Sequence, residues 1–395
     1  MTKHSPDVLI IGAGIAGLSI AYELAQTGVE VTVVDRRELY AGSSALNAGG
    51  MRCQFSHETN ILCAIGSLER VTRFHDDFGL DVNFRQAGYV FVCSTAEQET
   101  TLRQAVELQN RMGVDTRIVQ TDEISRIVPG LHTDDVCCAS WGPGDGYVDP
   151  RALLQGFAAI GRRTGATILE HHPVTSITAS GSRVTSVVAG DIEFTPAVVV
   201  NACGAWAPRI AQLYGSNLPI TPRRSSLWVV GPKPDVSFDG LPQIIDIESR
   251  SFFHGDIDGT GALVFGIGAA DLVEDTPDTP CNWDRFEDAR RRMEHRFPLA
   301  AGAEIDRGWA GLIEATEDDN PIVGWTHFTN LYTAAGFSGH GMCVAPGLAL
   351  SAAAEIRGST PEISLDVFRL DRFDGGQFER ESIYGATGNV NAENR

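Results

Sequence analysis

The chain opens with an unbroken apolar run, Val8–Ile11, the pattern of a strand buried on both faces of a parallel sheet. Gly12 ends it. Across residues 15–26 the apolar positions Leu18, Ala21, Leu24 and Ala25 fall at helical spacing, Gly28 stops the helix, and 29–34 reads as a second buried strand. Together these make one βαβ unit. Helical spacing returns over 58–78 and 95–112, the latter between strand-like stretches at 88–93 and 116–119. Pro143, Gly144, Gly146 and Pro150 mark a crossing segment. After it, 151–164 reads as a helix, Thr167–Leu169 and 175–177 as strands with His171 and His172 on extended chain, and 197–201 as another buried strand.

From 221 to about 307 the texture changes to short alternating strands at 227–230, 251–254 and 262–267, with a charged helix at 284–296. This predicts a largely antiparallel layer. Leu331–Ala335 then reads as a last strand, 336–341 as a glycine-rich turn, and 346–356 as a helix with Pro346 in its first turn and Gly358 past its end. The expected organisation is α/β: a Rossmann-like domain from 1–85, 145–220 and 320–373, and an α+β substrate domain from 86–144 and 221–319. Beyond Phe373 the apolar periodicity is lost, and 374–395 is expected to be a polar, mobile tail.

At 395 residues, 43% hydrophobic and 21% charged, the chain has the balance of a folded protein with a sizeable core. Its 31 basic and 51 acidic residues give a net charge of −20, which disfavours nucleic acid and anionic membrane surfaces as partners. The cysteines Cys53, Cys63, Cys93, Cys137, Cys138, Cys203, Cys281 and Cys343 show neither CxxC pairs nor the spacing of a disulfide framework. Free thiols in a reducing compartment are expected. No stretch reaches the roughly 18 apolar residues of a membrane-spanning helix, and a cytoplasmic chain is expected. No metal site is expected: neighbours His171 and His172 would point to opposite faces of a strand, and His57-Glu58 lacks the second histidine of HExxH.

Gly12-Ala13-Gly14-Ile15-Ala16-Gly17 fits GxGxxG. The first glycine permits the tight turn, the second lets backbone approach a pyrophosphate, and the third permits close helix packing. The helix start adds N–H donors and positive partial charge. Asp35 closes the second strand, where its carboxylate can accept ribose hydroxyls and would repel a ribose 2′-phosphate. A dinucleotide follows, NAD or FAD rather than NADP.

Beyond the βαβ unit, three stretches carry a resemblance: 42–52 (GSSALNAGGMR), 199–206 (VVNACGAW) and 336–341 (GFSGHG). With them the chain, from Asp7 to about Phe373, resembles the D-amino-acid oxidase superfamily, in its branch of sarcosine oxidase, glycine oxidase and related amino-acid dehydrogenases. The resemblance implies FAD, an interleaved two-domain fold and oxidation of a C–N bond beside a carboxylate. It places the cofactor against Gly12, Gly14, Ile15, Ala16, Gly17, Asp35, Arg36, Ser43, Ser44, Gly49, Gly50, Met51, Val174, Ala202, Gly204, Gly336, Gly339, His340, Gly341 and Met342. Ser43 and Ser44 can donate to phosphate, and Gly49 and Gly50 let backbone lie against a flavin ring.

Arg52 is the expected carboxylate clamp, since guanidinium binds carboxylate bidentately; a structural salt bridge is its rival role. His340 is expected on the flavin side, although a residue between two glycines can simply turn the chain. His254, beside Phe252 and Phe253, is expected to line the pocket. Cys343 stands where the branch often carries a substrate-holding lysine, and Leu46 replaces a common arginine. Gly311 falls where some members attach FAD through cysteine, so the link is expected to be non-covalent. Leu263 lies near the place of a lysine associated with oxygen activation, so oxygen is expected to be a poor acceptor. The substrate is expected to be an amino acid with a secondary or cyclic amine, and electrons to pass to oxygen, a dye or another redox protein. Rival readings are an FAD dehydrogenase of a hydroxy acid or polyol phosphate, and an FAD-binding assembly factor without catalysis.

Overall fold

In the computed structural model, which describes residues 2–268, 271–273, 279–376, 378–381 and 383, two large sheets share the chain. The first has six strands in the order Ile322–Trp325, Leu331–Ala335, Val198–Asn201, Val8–Ile11, Val31–Val34 and Thr167–Leu169. All pair in parallel except Ile322–Trp325, which runs antiparallel to its neighbour. Val8 sits opposite Val31 on one side and Val198 on the other. Such unbroken valine and isoleucine runs belong in the middle of a sheet covered on both faces.

Helices Ile15–Ala25, Glu58–Thr72, Pro150–Arg163 and Gly341–Ile356 cover one face, joined in a core that includes Ile10, Leu18, Leu24, Val33, Phe157 and Leu348. A small four-stranded sheet of Thr2–His4, Ile192–Phe194, Arg183–Ala189 and Val174–Ser180 covers the other, through Val187, Phe194, Leu9 and Ile11. Two helices cross closely: a Cβ on Gly347 would lie 2.0 Å from the Cys63 carbonyl oxygen, so only glycine fits that contact.

The second sheet has nine strands. Its spine runs Asp271–Leu272, Thr221–Val230, Leu263–Ile267, Ser251–Gly255, Gln243–Asp246, Tyr89–Cys93, Cys138–Gly142 and Arg117–Val119, with Ile305–Ala315 along the other side of Thr221–Val230. Only Gln243–Asp246 and Tyr89–Cys93 pair in parallel along this spine. Helix Phe286–Arg296 packs on its outer face through Phe286, Ala289 and Met293. The inner face looks toward the first sheet.

Three expectations change. The last helix begins at Gly341, so Pro346 lies inside it instead of opening it; proline's liking for a first turn misplaced the start. His171 and His172 sit in a bend after Thr167–Leu169, with His171 at φ 58°, not on a strand. The segment expected to be a mobile tail is anchored where it is described: Glu381 is 3% exposed and accepts from Ser56 N (2.9 Å) and Oγ (2.6 Å), and Ile383 packs beside Tyr89 and Phe91. Residues 384–395 lie outside the described residues. All eight cysteines are free thiols, and no described helix is long and apolar enough to cross a membrane.

Candidate functional site

Two cavities meet between the sheets. The first, about 360 Å³, lies over the carboxyl ends of Val8–Ile11 and Val31–Val34, where open parallel sheets place their ligands. Gly12, Gly14, Ile15, Ala16, Asp35, Arg36, Ser43, Ser44, Val174, Ala202 and Gly204 line it. The Asp35 carboxylate accepts from Ala13 N (2.8 Å) and Arg37 N (3.0 Å), which holds it at the mouth with lone pairs to spare. The Arg36 guanidinium lies 4.2 Å over the Trp206 ring, a flat platform on the same wall. Helix Ile15–Ala25 starts at this cavity, and Ser44 Oγ accepts from Ile15 N at 3.2 Å.

The second cavity, about 200 Å³, lies beneath the inner face of the antiparallel sheet. Gly50, Arg52, Gly339, His340, Gly341 and Met342 line it, with Tyr89, Gln243, Phe252, Gly311 and Cys343. Ile15, Ser43, Ser44, Leu312 and Glu314 line both cavities, so the two form one continuous channel from Asp35 to Arg52. A long, thin molecule with a phosphate-bearing middle fits this channel: glycine turn and helix start at one end, an apolar slot at the other.

Five expected residues stand behind the walls instead. Gly17 packs on the glycine turn, where a Cβ would fall 2.0 Å from Gly12 O; Gly49 packs on Val148; Met51 is core at 1% exposure. Gly336 gives its N–H to Glu314 Oε2 at 2.7 Å. His254 does not line the cavity: its ring lies 4.4 Å from Tyr147, Nδ1 is 2.7 Å from Gly255 O, and burial lowers its pKa. It is a packed, neutral histidine.

Arg52 is 3% exposed, and its Nη1 donates to Gln54 O. The guanidinium carbon lies 3.9 Å over the Phe55 ring and 5.2 Å from that of Phe91. Among the described residues it makes no ion pair and Nη2 has no hydrogen-bond partner, so the rival role as a structural salt bridge does not apply. Asp145, on whose carboxyl the Arg52 charge acts, is held by Cys53 N (2.9 Å) and Gln54 Nε2 (3.0 Å), and burial raises its pKa to about 6. His340 caps the last helix and meets Phe55 edge-on at 5.4 Å. Cys343 donates its thiol to Gly50 O at 3.1 Å, and burial raises its pKa. Leu263 lies on the far face, in the core with Trp228 and Phe265, whereas Val264 packs on the cavity side near Phe252. The oxygen argument therefore does not rest on Leu263.

Sequence reasoning passed over Glu314 and Gln243. Glu314 is the one acid in the strand stretch Trp309–Ala315 and has no local motif. It sits at the junction of the cavities, partly buried, and desolvation pushes its carboxyl up to about 7 despite N–H donors from Gly336 and Phe337. The folded state thus prefers the protonated acid. Stability from this group is present below the ordinary value of 4.5 and is lost as pH rises through about 7. In the FAD-free protein the loss should reach no more than about 3 kcal/mol. Thermal melting between these pH values checks it: Glu314→Gln should flatten the fall, with Asp145 supplying the remaining slope.

Away from the channel, donor atoms of His132, Asp135 and His295 gather within 4.8 Å of one another at the surface. Asp135 accepts from Arg296 Nη1 at 2.6 Å and Nη2 at 3.2 Å, so the cluster latches a loop to a helix.

The model of the DAO family, described as FAD dependent oxidoreductase, matches residues 7–355. FAD-dependent oxidoreductase domain-containing protein 1 of Bos taurus is 30% identical over 437 residues, spanning 96% of this chain and 88% of that protein. The 4-methylaminobutanoate oxidase (formaldehyde-forming) of Paenarthrobacter nicotinovorans is 26% identical, spanning 98% of this chain and 48% of its own. Among solved structures, L-proline dehydrogenase from P. horikoshii superposes with a TM-score of 0.88 at 30% identity, covering 96% of this chain and 100% of its own.

Proposed function

Because the chain belongs to the family of FAD-dependent oxidoreductases, we propose that it oxidises the C–N bond of an amino acid carrying a secondary or cyclic amine, the first sheet holding FAD and the second the substrate. The observation that carries this reading is Arg52: a buried guanidinium with an unused N–H group, on a residue that lines the slot beside Tyr89, Phe252 and Met342. Left without an anion, such a donor is costly, and an α-carboxylate satisfies it bidentately. Relatives named for proline and for an N-methylated amino acid support the amine.

FAD bound in the channel supplies the two-electron acceptor for the C–H bond beside nitrogen. The protein's work is orientation. Gln54 O and the Phe55 face fix the plane of Arg52, which in turn fixes the carboxylate. The start of helix Gly341–Ile356 borders the slot and favours negative charge there. Tyr89, Phe252 and Met342 keep the slot apolar, which suits a neutral amine over its ammonium form. The product imine is then hydrolysed by water.

Oxygen is a poor acceptor in this reading. The chain has two lysines, and both are engaged elsewhere: Lys3 Nζ pairs with Glu193 at 3.2 Å, and Lys233 Nζ donates to Leu299 O and Ala301 O. No ammonium is left to stabilise developing superoxide at the flavin. Gly311 in the slot offers no thiolate, in keeping with a non-covalent flavin.

Anaerobic mixing with N-methyl, cyclic and primary amino acids tests the proposal. N-methyl or cyclic substrates should bleach the visible flavin absorbance, and a dye should restore it faster than air. Bleaching by primary amino acids alone, or by none, overturns the substrate class.

A further inference from the structure

Gln243 opens a central strand of the antiparallel sheet, opposite Tyr89, and its side chain is 1% exposed. It lines the same slot as Arg52. The Nε2 end of its amide faces two carbonyl oxygens, Ile244 O at 3.4 Å and Phe253 O at 3.5 Å. Two acceptors on that side settle which end is nitrogen, because the reverse orientation would set oxygen against oxygen. Oε1 is then left buried without a hydrogen-bond partner among the described residues. A buried acceptor left unmade costs about 1–3 kcal/mol.

Two residues that line the slot therefore carry unmet demands of opposite kind: a cationic donor at Arg52 Nη2 and a neutral acceptor at Gln243 Oε1. One ligand meets both if it carries an anionic group and, a short distance away, an N–H. We propose that Gln243 is a positioning and specificity residue that accepts the substrate's amine N–H. With the carboxylate held at Arg52, a bond from nitrogen to Gln243 fixes rotation about the bond between the carboxyl and α-carbons. That rotation decides which C–H faces the flavin. The inference rests on the amino-acid reading above and specifies which group recognises nitrogen.

The test uses the FAD-bound enzyme and two unreactive ligands of nearly equal shape, the α-carboxylates of pyrrole and furan. The first has a ring N–H and the second a ring oxygen. Binding is read from the change in the flavin spectrum. The wild-type enzyme should hold the pyrrole acid roughly tenfold tighter, the worth of one buried hydrogen bond. Gln243→Leu should bring the two affinities together by weakening only the pyrrole acid, and should raise KM for an amino acid more than it lowers kcat. Equal binding of the two acids by the wild-type enzyme overturns the proposal without any variant. A Gln243→Leu enzyme that weakens both acids alike overturns it as well, since that marks a residue that merely shapes the wall. Failure of the amino-acid reading looks different: neither acid perturbs the flavin, and no amino acid bleaches it.

Discussion

Arg52→Ala is expected to lower kcat/KM on an amino acid roughly 30-fold to several thousand-fold while FAD stays bound, because it removes one partner of a desolvated charge pair worth about 2–5 kcal/mol. The estimate depends on how the guanidinium is held. It is almost wholly buried, carries no ion pair among the described residues, and lies flat on Phe55, so the carboxylate has no competing partner in the protein. Neither Asp35 nor the glycine turn is touched by the change, which leaves the phosphate-binding end of the channel whole. Steady-state kinetics with the flavin-to-protein absorbance ratio check both halves. Near-wild-type kcat/KM, or bleaching by the decarboxylated amine alone, would sink the carboxylate-clamp idea.

Gly12→Ala should act on the cofactor instead. Gly12 has φ 106°, a conformation that L side chains rarely adopt, and an added Cβ would lie 2.5 Å from Ala202 O. Ala202 belongs to the neighbouring strand's end and itself lines the channel, so relief of the clash moves the phosphate cradle. Backbone strain of about 1–3 kcal/mol, taken up in the cradle, corresponds to a loss in FAD affinity of roughly 5-fold to 150-fold. The purified variant should be pale and should melt at a lower temperature than the wild-type protein. Full flavin content in Gly12→Ala would show that the turn adapts.

The parts legible in the sequence were those whose signal is local. Val8–Ile11, Gly12 to Gly17 and Asp35 fall within one short stretch, each residue type being demanded by backbone geometry or phosphate contact, and the structure brings them together at one cavity. The strand Ile305–Ala315 was invisible because it is half exposed and broken by Gly308 and Gly311, so neither alternation nor a long apolar run marks it. Glu314 and Gln243 gain their character from burial beside segments distant in sequence, which no spacing rule records. Leu263 shows the limit of register: neighbours on a strand face opposite ways, so a placement off by a single residue moves a side chain from the cavity to the far core. His254 fails for a different reason: it shares a face with Phe252 but lies two residues further along the strand, where it packs on Tyr147 outside the cavity lining.

The strand order of the first sheet has a consequence for how the protein comes to exist. Val198–Asn201 pairs with Val8–Ile11 on one side and with Leu331–Ala335 on the other, so the centre of the sheet joins the beginning of the chain to a segment made more than three hundred residues later. During synthesis the glycine turn emerges early, yet the wall that closes its channel, Glu314 and Phe337 included, is still missing. Pairings this distant form slowly, and until they form the first strand presents an open apolar edge. Flavin can bind tightly only once the late segments have arrived, and by binding it then holds together strands that no short loop connects. Cellular supply of the cofactor should therefore govern how much of this chain survives its own folding, independently of how fast the finished enzyme turns over.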